Sequence, residues 1–97
     1  MIQGKNIVKS KIRCTSSSLE HIQKHGILKG HVMEIFTDKQ RIVLDGKYAK
    51  NRYRLIGRCG KRILSVVVAE DNKKFTLVTA RDASKEERAV YRKNKDV

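Results

Sequence analysis

Residues 75–92 read FTLVTARDASKEERAVYR, and the fold turns on a change of period inside this stretch. Phe75, Leu77 and Thr79 alternate with Thr76, Val78 and Ala80, and β-branched residues fill the run, which predicts a strand. Ser84, with Glu87 three residues later, makes a capping box, so a helix is expected to begin there. Glu86 and Glu87 fall in its first turn, where the positive end of the helix dipole favours carboxylates. Arg81 therefore lies where a strand ends and a capped helix is about to start. Arg88 and Tyr91 follow on the helix, three apart and on one face. Two arginines, a tyrosine and a neighbouring carboxylate in a basic chain point to the handling of a phosphate.

Upstream, residues 63–69 (ILSVVVA) are apolar on both parities, as in a central strand covered on both faces. Residues 52–59 alternate, with Tyr53, Leu55, Gly57 and Cys59 on one face and Arg52, Arg54, Ile56 and Arg58 on the other. Gly60-Lys61 suits a two-residue hairpin loop, which sets Tyr53 opposite Val68, Leu55 opposite Val66 and Gly57 opposite Leu64. Asp71-Asn72-Lys73 turns the chain into the Phe75 strand. The length of that turn is ambiguous by one residue, which leaves open the face that receives Arg81.

Residues 41–44 (RIVL) form a further strand, followed by an Asp45-Gly46 turn. Residues 6–15 read as the first strand, with Val8, Ser10, Ile12 and Cys14 on one face and Lys9, Lys11 and Arg13 on the other. Ser17 with Glu20 makes a second capping box, Leu19 and Ile22 give an apolar stripe, and Gly26 closes that helix. A second short helix is expected over 29–36, with Val32, Ile35 and Phe36 inward. The order is β-α-α-β-β-β-β-α. This describes an α+β fold with an antiparallel sheet of four to five strands and helices packed on it. The last four strands form a meander, and the first strand joins at an edge or internally. Residues 1–97 are expected to be one domain, with 93–97 as a fraying tail.

The net charge is +13, which suggests a polyanionic or acidic partner. Aromatics are only 5% of the chain, which argues against a base-stacking platform. Cys14 and Cys59 form no CxxC, so free thiols in a reducing cytoplasm are expected rather than a disulfide framework or zinc site. His21 and His25 lie four apart, but no third ligand accompanies them, and no metal or cofactor is expected. No apolar run reaches the roughly 18 residues of a membrane span, and the amino end lacks the apolar core of a signal peptide.

The order of elements and three sets of residues resemble the BrnT family of toxin–antitoxin toxins, ribonucleases of the RelE-like fold. The sets are Lys24-His25-Gly26, the Arg52-Tyr53-Arg54-Leu55-Ile56-Gly57 strand and the closing TARDASKEERAVY, residues 79–91. The last matches the family's S-A-R-x-A-x-x-x-E-R-x-x-Y pattern at Ala80, Arg81, Ala83, Glu87, Arg88 and Tyr91, with Thr79 in place of its serine. The resemblance implies an RNA substrate, a ribbon-helix-helix antitoxin as partner, and contact with operator DNA only through that antitoxin.

Cleaving RNA without a metal requires removing a proton from the 2′-hydroxyl, giving one to the leaving 5′-oxygen and stabilising the charge between them. Guanidinium forks match phosphate oxygens, so Arg52, Arg54 and Arg81 are the candidates for charge stabilisation. Glu87, His25 and Tyr91 are the candidates for proton transfer, and Arg58, Arg88 and Lys85 for further RNA attraction. Each has a structural alternative: Glu87 as the cap of its helix, Arg81 as an ion-pair partner of Asp82 or Glu87, Tyr91 as core, and His25 as a helix-end charge. Two other functions fit the same charge: a noncatalytic RNA or ribosome binder, and a basic module that binds an acidic antitoxin segment.

Overall fold

Alternation and turn chemistry build the sheet locally, and a computed structural model, which describes residue 7 and residues 12–45 and 51–95, follows them closely. In chain order the elements are β1 (Ile12–Arg13), α1 (Ser16–Gln23), α2 (Lys29–Glu34) with a 3-10 turn (Ile35–Thr37), β2 (Ile42–Asp45), β3 (Arg52–Cys59), β4 (Arg62–Asp71), β5 (Lys74–Asp82) and α3 (Lys85–Lys95). The β3–β4 hairpin has the expected register, Tyr53 opposite Val68, Leu55 opposite Val66 and Gly57 opposite Leu64. Gly60 takes a positive φ of 60° at the first loop position, which a side chain would resist. In the β4–β5 loop both Asn72 (φ 50°) and Lys73 (φ 66°) are left-handed, as a two-residue hairpin of the I′ kind requires.

The sheet order is β1-β5-β4-β3-β2, so β2 to β5 form the expected antiparallel meander. The sheet is mixed rather than wholly antiparallel, because β1 pairs parallel to β5 with Ile12 opposite Phe75 and Arg13 opposite Thr76. Parallel neighbours need a long crossover, and here nearly the whole chain between residues 14 and 73 supplies it. Of the strand expected over 6–15, the structure describes only this two-residue pairing, together with Ile7, which is buried. Gly46 of the expected Asp45-Gly46 turn lies outside the described residues.

Two cores lie on opposite faces of the sheet. Ile22 of α1, Val32 of α2 and Ile35 pack on Leu55, Leu64, Val66, Val68, Phe75, Leu77 and Ala80. Tyr91 of α3 and Ala83 pack on Ile42 and Ile56 across the other face. Between Val67 and Val68 the β4–β5 register shifts: Val67 faces Thr79 while Val68 faces Leu77, so Val78 is an extra, bulged residue. Leu77 and Ala80 consequently share the first core, and Arg81 passes to the face that carries α3.

Three local expectations change. The first helix is capped by Thr15, not Ser17: Thr15 is extended (φ −99°, ψ 160°), its hydroxyl accepts from the Ser18 N–H at 3.1 Å, and Ser18 Oγ accepts from the Thr15 N–H at 3.0 Å. Thr15 is the first residue after β1 whose side-chain oxygen can turn back on the new helix, so the box with Ser18 forms two residues before the one expected from Ser17 and Glu20. The second helix tightens after Glu34 into the 3-10 turn, and Asp38 N–H donates to Ile35 O at 3.1 Å. The last helix runs on to Lys95, into the stretch expected as tail. Gly26 closes α1 as expected: it is left-handed (φ 71°), and Ile27 N–H reaches back to Ile22 O at 3.2 Å. Among the described residues no helix is long and apolar enough to cross a membrane.

Candidate nucleic-acid interface

The α3 face of the sheet gathers side chains from three strands and one helix around the Glu87 carboxylate. The helix begins at the expected capping box: Ser84 N–H donates to Glu87 Oε1 at 2.8 Å and Glu87 N–H donates to Ser84 Oγ at 3.2 Å. That geometry folds the carboxylate back over the end of β5. Arg81 meets it end-on, with Nη1 on Oε1 at 2.8 Å and Nη2 on Oε2 at 3.1 Å, a bidentate pair. Arg54 comes from β3, its Nη1 2.5 Å from Ser65 Oγ and 3.4 Å from Glu87 Oε2, and Ser65 Oγ donates to the same oxygen at 3.2 Å.

Burial separates the members of this set. The Glu87 and Arg54 side chains are 12% and 13% exposed, whereas Arg81 is 39% exposed. Burial pushes the Glu87 carboxyl upward, but the Arg81 fork, the Ser84 N–H and the charges of Arg81 and Arg54 outweigh it and hold it below the ordinary carboxylate range. The carboxylate is therefore ionised at neutral pH. Its two oxygens accept four hydrogen bonds, two each, which fills the sites a carboxylate offers. Glu87 thus holds the arginines in place and has no lone pair left for a substrate proton.

Arg81 keeps a second edge. Its end-on N–H groups go to Glu87, and Nη1 also donates to the Asp82 carbonyl at 3.0 Å. Nε and the outer N–H of Nη2 have no acceptor among the described residues. This side-on pair is itself a fork of the kind that takes two phosphate oxygens. Arg52 lies two residues along β3 from Arg54, on the same face and half-buried. The register places Arg54, Val67 and Thr79 in one row across the face, and Arg52, Ala69, Thr76 and Arg13 in the next.

The other expected site residues lie elsewhere. His25 is exposed at the end of α1, in the layer that covers the opposite face, with its ring edge-on to His21 at 5.7 Å. Tyr91 is 1% exposed in the second core, and its hydroxyl donates to Asp38 Oδ2 at 2.6 Å. Burial, then the bond to Asp38 and its charge, push that phenol up to about 12, so it keeps its proton at neutral pH. Arg58 donates its backbone N–H to the same Asp38 oxygen at 2.9 Å, under the far half of α3. Lys85 and Arg88 are exposed on α3 and make no side-chain hydrogen bond to the Glu87 cluster. Asp82 pairs with Arg62 at 3.0 Å and not with Arg81.

Ser65 and Asp38 were missed. Ser65 has a signal in the sequence, being the one polar residue inside ILSVVVA, and a polar side chain in a doubly covered strand needs a partner. Asp38 shows locally only as a turn residue, its Oδ1 accepting from the Gln40 N–H at 2.9 Å, while the partners of its Oδ2 are 20 and 53 residues away. Among the described residues no group of three or more histidine, cysteine, aspartate or glutamate side chains is arranged to hold a metal.

A family model described as "Ribonuclease toxin, BrnT, of type II toxin-antitoxin system" matches residues 16–87. No curated protein matches the chain. The matched span takes in Arg52, Arg54, Ser65, Arg81 and Glu87 and leaves out Arg13, Arg88 and Tyr91.

Proposed function

Since the chain belongs to the BrnT family of ribonuclease toxins of type II toxin–antitoxin systems, we propose that it cuts RNA internally without a metal ion, with Arg81 on the scissile phosphate. The observation that carries this reading is the posture of Arg81: its end-on edge is clamped by the buried Glu87 while its side-on edge is open. A guanidinium already oriented loses little freedom when the phosphate charge develops, which is where fixed donors contribute most to rate. Arg52 supplies a second cation, and Arg54, held beneath by Ser65, fixes Glu87. The 2′-oxygen attacks the adjacent phosphorus, the bond from phosphorus to the 5′-oxygen breaks, and the products are a 2′,3′-cyclic phosphate and a 5′-hydroxyl. The 2′-hydroxyl proton passes to water, and the leaving oxygen takes one from water.

The cytoplasm is the compartment in which such a toxin meets RNA and inhibits translation. A ribbon-helix-helix antitoxin is its partner and carries the complex to operator DNA. The test is incubation of the purified chain with a defined RNA in the presence of a chelator. Cyclic phosphate ends are expected to appear, and Arg81→Ala to lower the rate by about 10² or more. Arg81→Lys keeps the charge but loses the fork, and a comparable loss is expected. An unchanged rate in Arg81→Ala overturns this assignment. One observation favours a second reading, a protein that holds RNA without cutting it: Glu87 is saturated, Tyr91 is buried and His25 lies on the other layer. That reading predicts salt-sensitive binding with the RNA left intact.

A further inference from the structure

We infer that Arg13 on β1 is a second phosphate site, and that Arg81, Arg52 and Arg13 together form a track for single-stranded RNA read through its backbone. The inference rests on the ribonuclease reading for the place of the cut, but the binding it describes is separately measurable. Three features support it.

The first is placement. Arg13 faces Thr76, Thr76 faces Ala69 and Ala69 faces Arg52, so the two arginines end one row across four strands. Strands about 4.8 Å apart set their Cα atoms roughly 14 Å apart. Arg81 stands along β5 from Thr76 by a comparable length, roughly 15 Å at about 3.3 Å per residue. Each span matches about four stacked nucleotides at a rise of roughly 3.4 Å.

The second is posture. Arg13 is exposed, yet its Nη2 lies 3.4 Å from Thr76 Oγ1, which inclines the guanidinium over the sheet rather than out from its edge. The third is the floor between the cations. It is made of Ala69, Thr76 and Thr79, half-buried small side chains that let a backbone lie close, with Val67 buried beside them. Among the described residues no carboxylate stands in these two rows: Glu87 reaches over from α3, where Arg81 and Arg54 answer it, and Asp71 lies in the row beyond Ala69, opposite Lys74. No described aromatic stands in them either, so the track offers phosphate contacts without stacking and fits RNA of any sequence.

The test uses 2′-O-methyl RNA, which lacks the attacking hydroxyl and stays intact, as a 12-mer and as a trinucleotide, with affinity read by fluorescence anisotropy across a salt series. For Arg13→Gln the 12-mer is expected to bind about 3- to 10-fold more weakly, with the log–log salt slope smaller by about 0.7, the value of one lost single-strand phosphate contact. The trinucleotide, too short to reach both Arg81 and Arg13, is expected to show no difference. Arg13→Lys is expected to restore the slope. Lys29→Gln, on the opposite helix layer, serves as the comparison for general loss of charge. Equal 12-mer affinity and slope in wild type and Arg13→Gln overturn the track, as does an equal fall in Lys29→Gln. Failure of the wild type to cut ordinary RNA would instead count against the nuclease reading and leave the slope comparison standing.

Discussion

Glu87 shows how one residue can serve helix, sheet and site together. As the cap of α3 it takes the Ser84 N–H, and as the anchor of the site it takes Arg81 and Ser65, with Arg54 at 3.4 Å. Glu87→Gln removes the charge that answers two arginines, one of them nearly buried. Breaking such a pair from one side leaves an uncompensated charge, and a loss of about 3 kcal/mol in urea unfolding is expected. The pH dependence has a definite sign. The folded carboxyl lies below its ordinary value, so its contribution is fully present above roughly pH 4.3 and is lost as pH falls through the lower folded value. Wild type should therefore lose stability below about pH 4.3 more steeply than Glu87→Gln. Parallel acid curves for the two proteins would show that the pair contributes nothing.

At the scale of elements, the packing of the 3-10 turn on β3 depends on Gly57. A Cβ built there would meet Ile35 Cβ at 3.0 Å and Arg41 Cβ at 3.3 Å, so the turn could not lie as close to the strand. Arg41 in turn lies over the Phe36 ring, 5.5 Å from its centroid, and Asp38 at the end of the turn receives the Tyr91 hydroxyl. Gly57→Ala should therefore push the turn outward and disturb the seat of α3 on the opposite face. A cost of about 1–3 kcal/mol is expected from overpacking, read as a shift in the urea midpoint with an unchanged slope. An unaltered midpoint would mean that the turn relaxes freely.

For the molecule as a whole, the net charge of +13 acts on folding and on binding with opposite signs. Self-repulsion opposes the compact state, while the same charges attract RNA. Raising sodium chloride from low to physiological concentration should raise the melting temperature through screening and weaken RNA binding at the same time. A melting temperature that falls with salt would mean that ion pairs such as Arg62–Asp82 outweigh the repulsion.

Much of this fold was legible in the chain because it is decided by contacts close in sequence. Alternation marked β3, a run apolar on both parities marked β4, Gly60-Lys61 set their register, and Ser84 with Glu87 marked the start of α3. The same local signals put Arg52 with Arg54 on one face of β3 and Arg81 next to the capping Glu87 along the chain, but did not bring the two pairs together. They failed where the deciding partner was remote. β1 runs parallel because β5, some sixty residues on, offers it an edge, whereas at α1 the cap fell to Thr15 in a choice between neighbouring hydroxyls, with Ser18 three residues on as its partner. Above all, the face of Arg81 rests on one bulged residue, Val78. Side chains alternate with a period of two, so one extra residue exchanges every face beyond it. By itself the sequence determined which residues form strands and helices and which carry charge. Only the tertiary structure decided that Arg81 faces α3 and Glu87 while His25 lies across the sheet, because a strand's faces are told apart only by what packs on each.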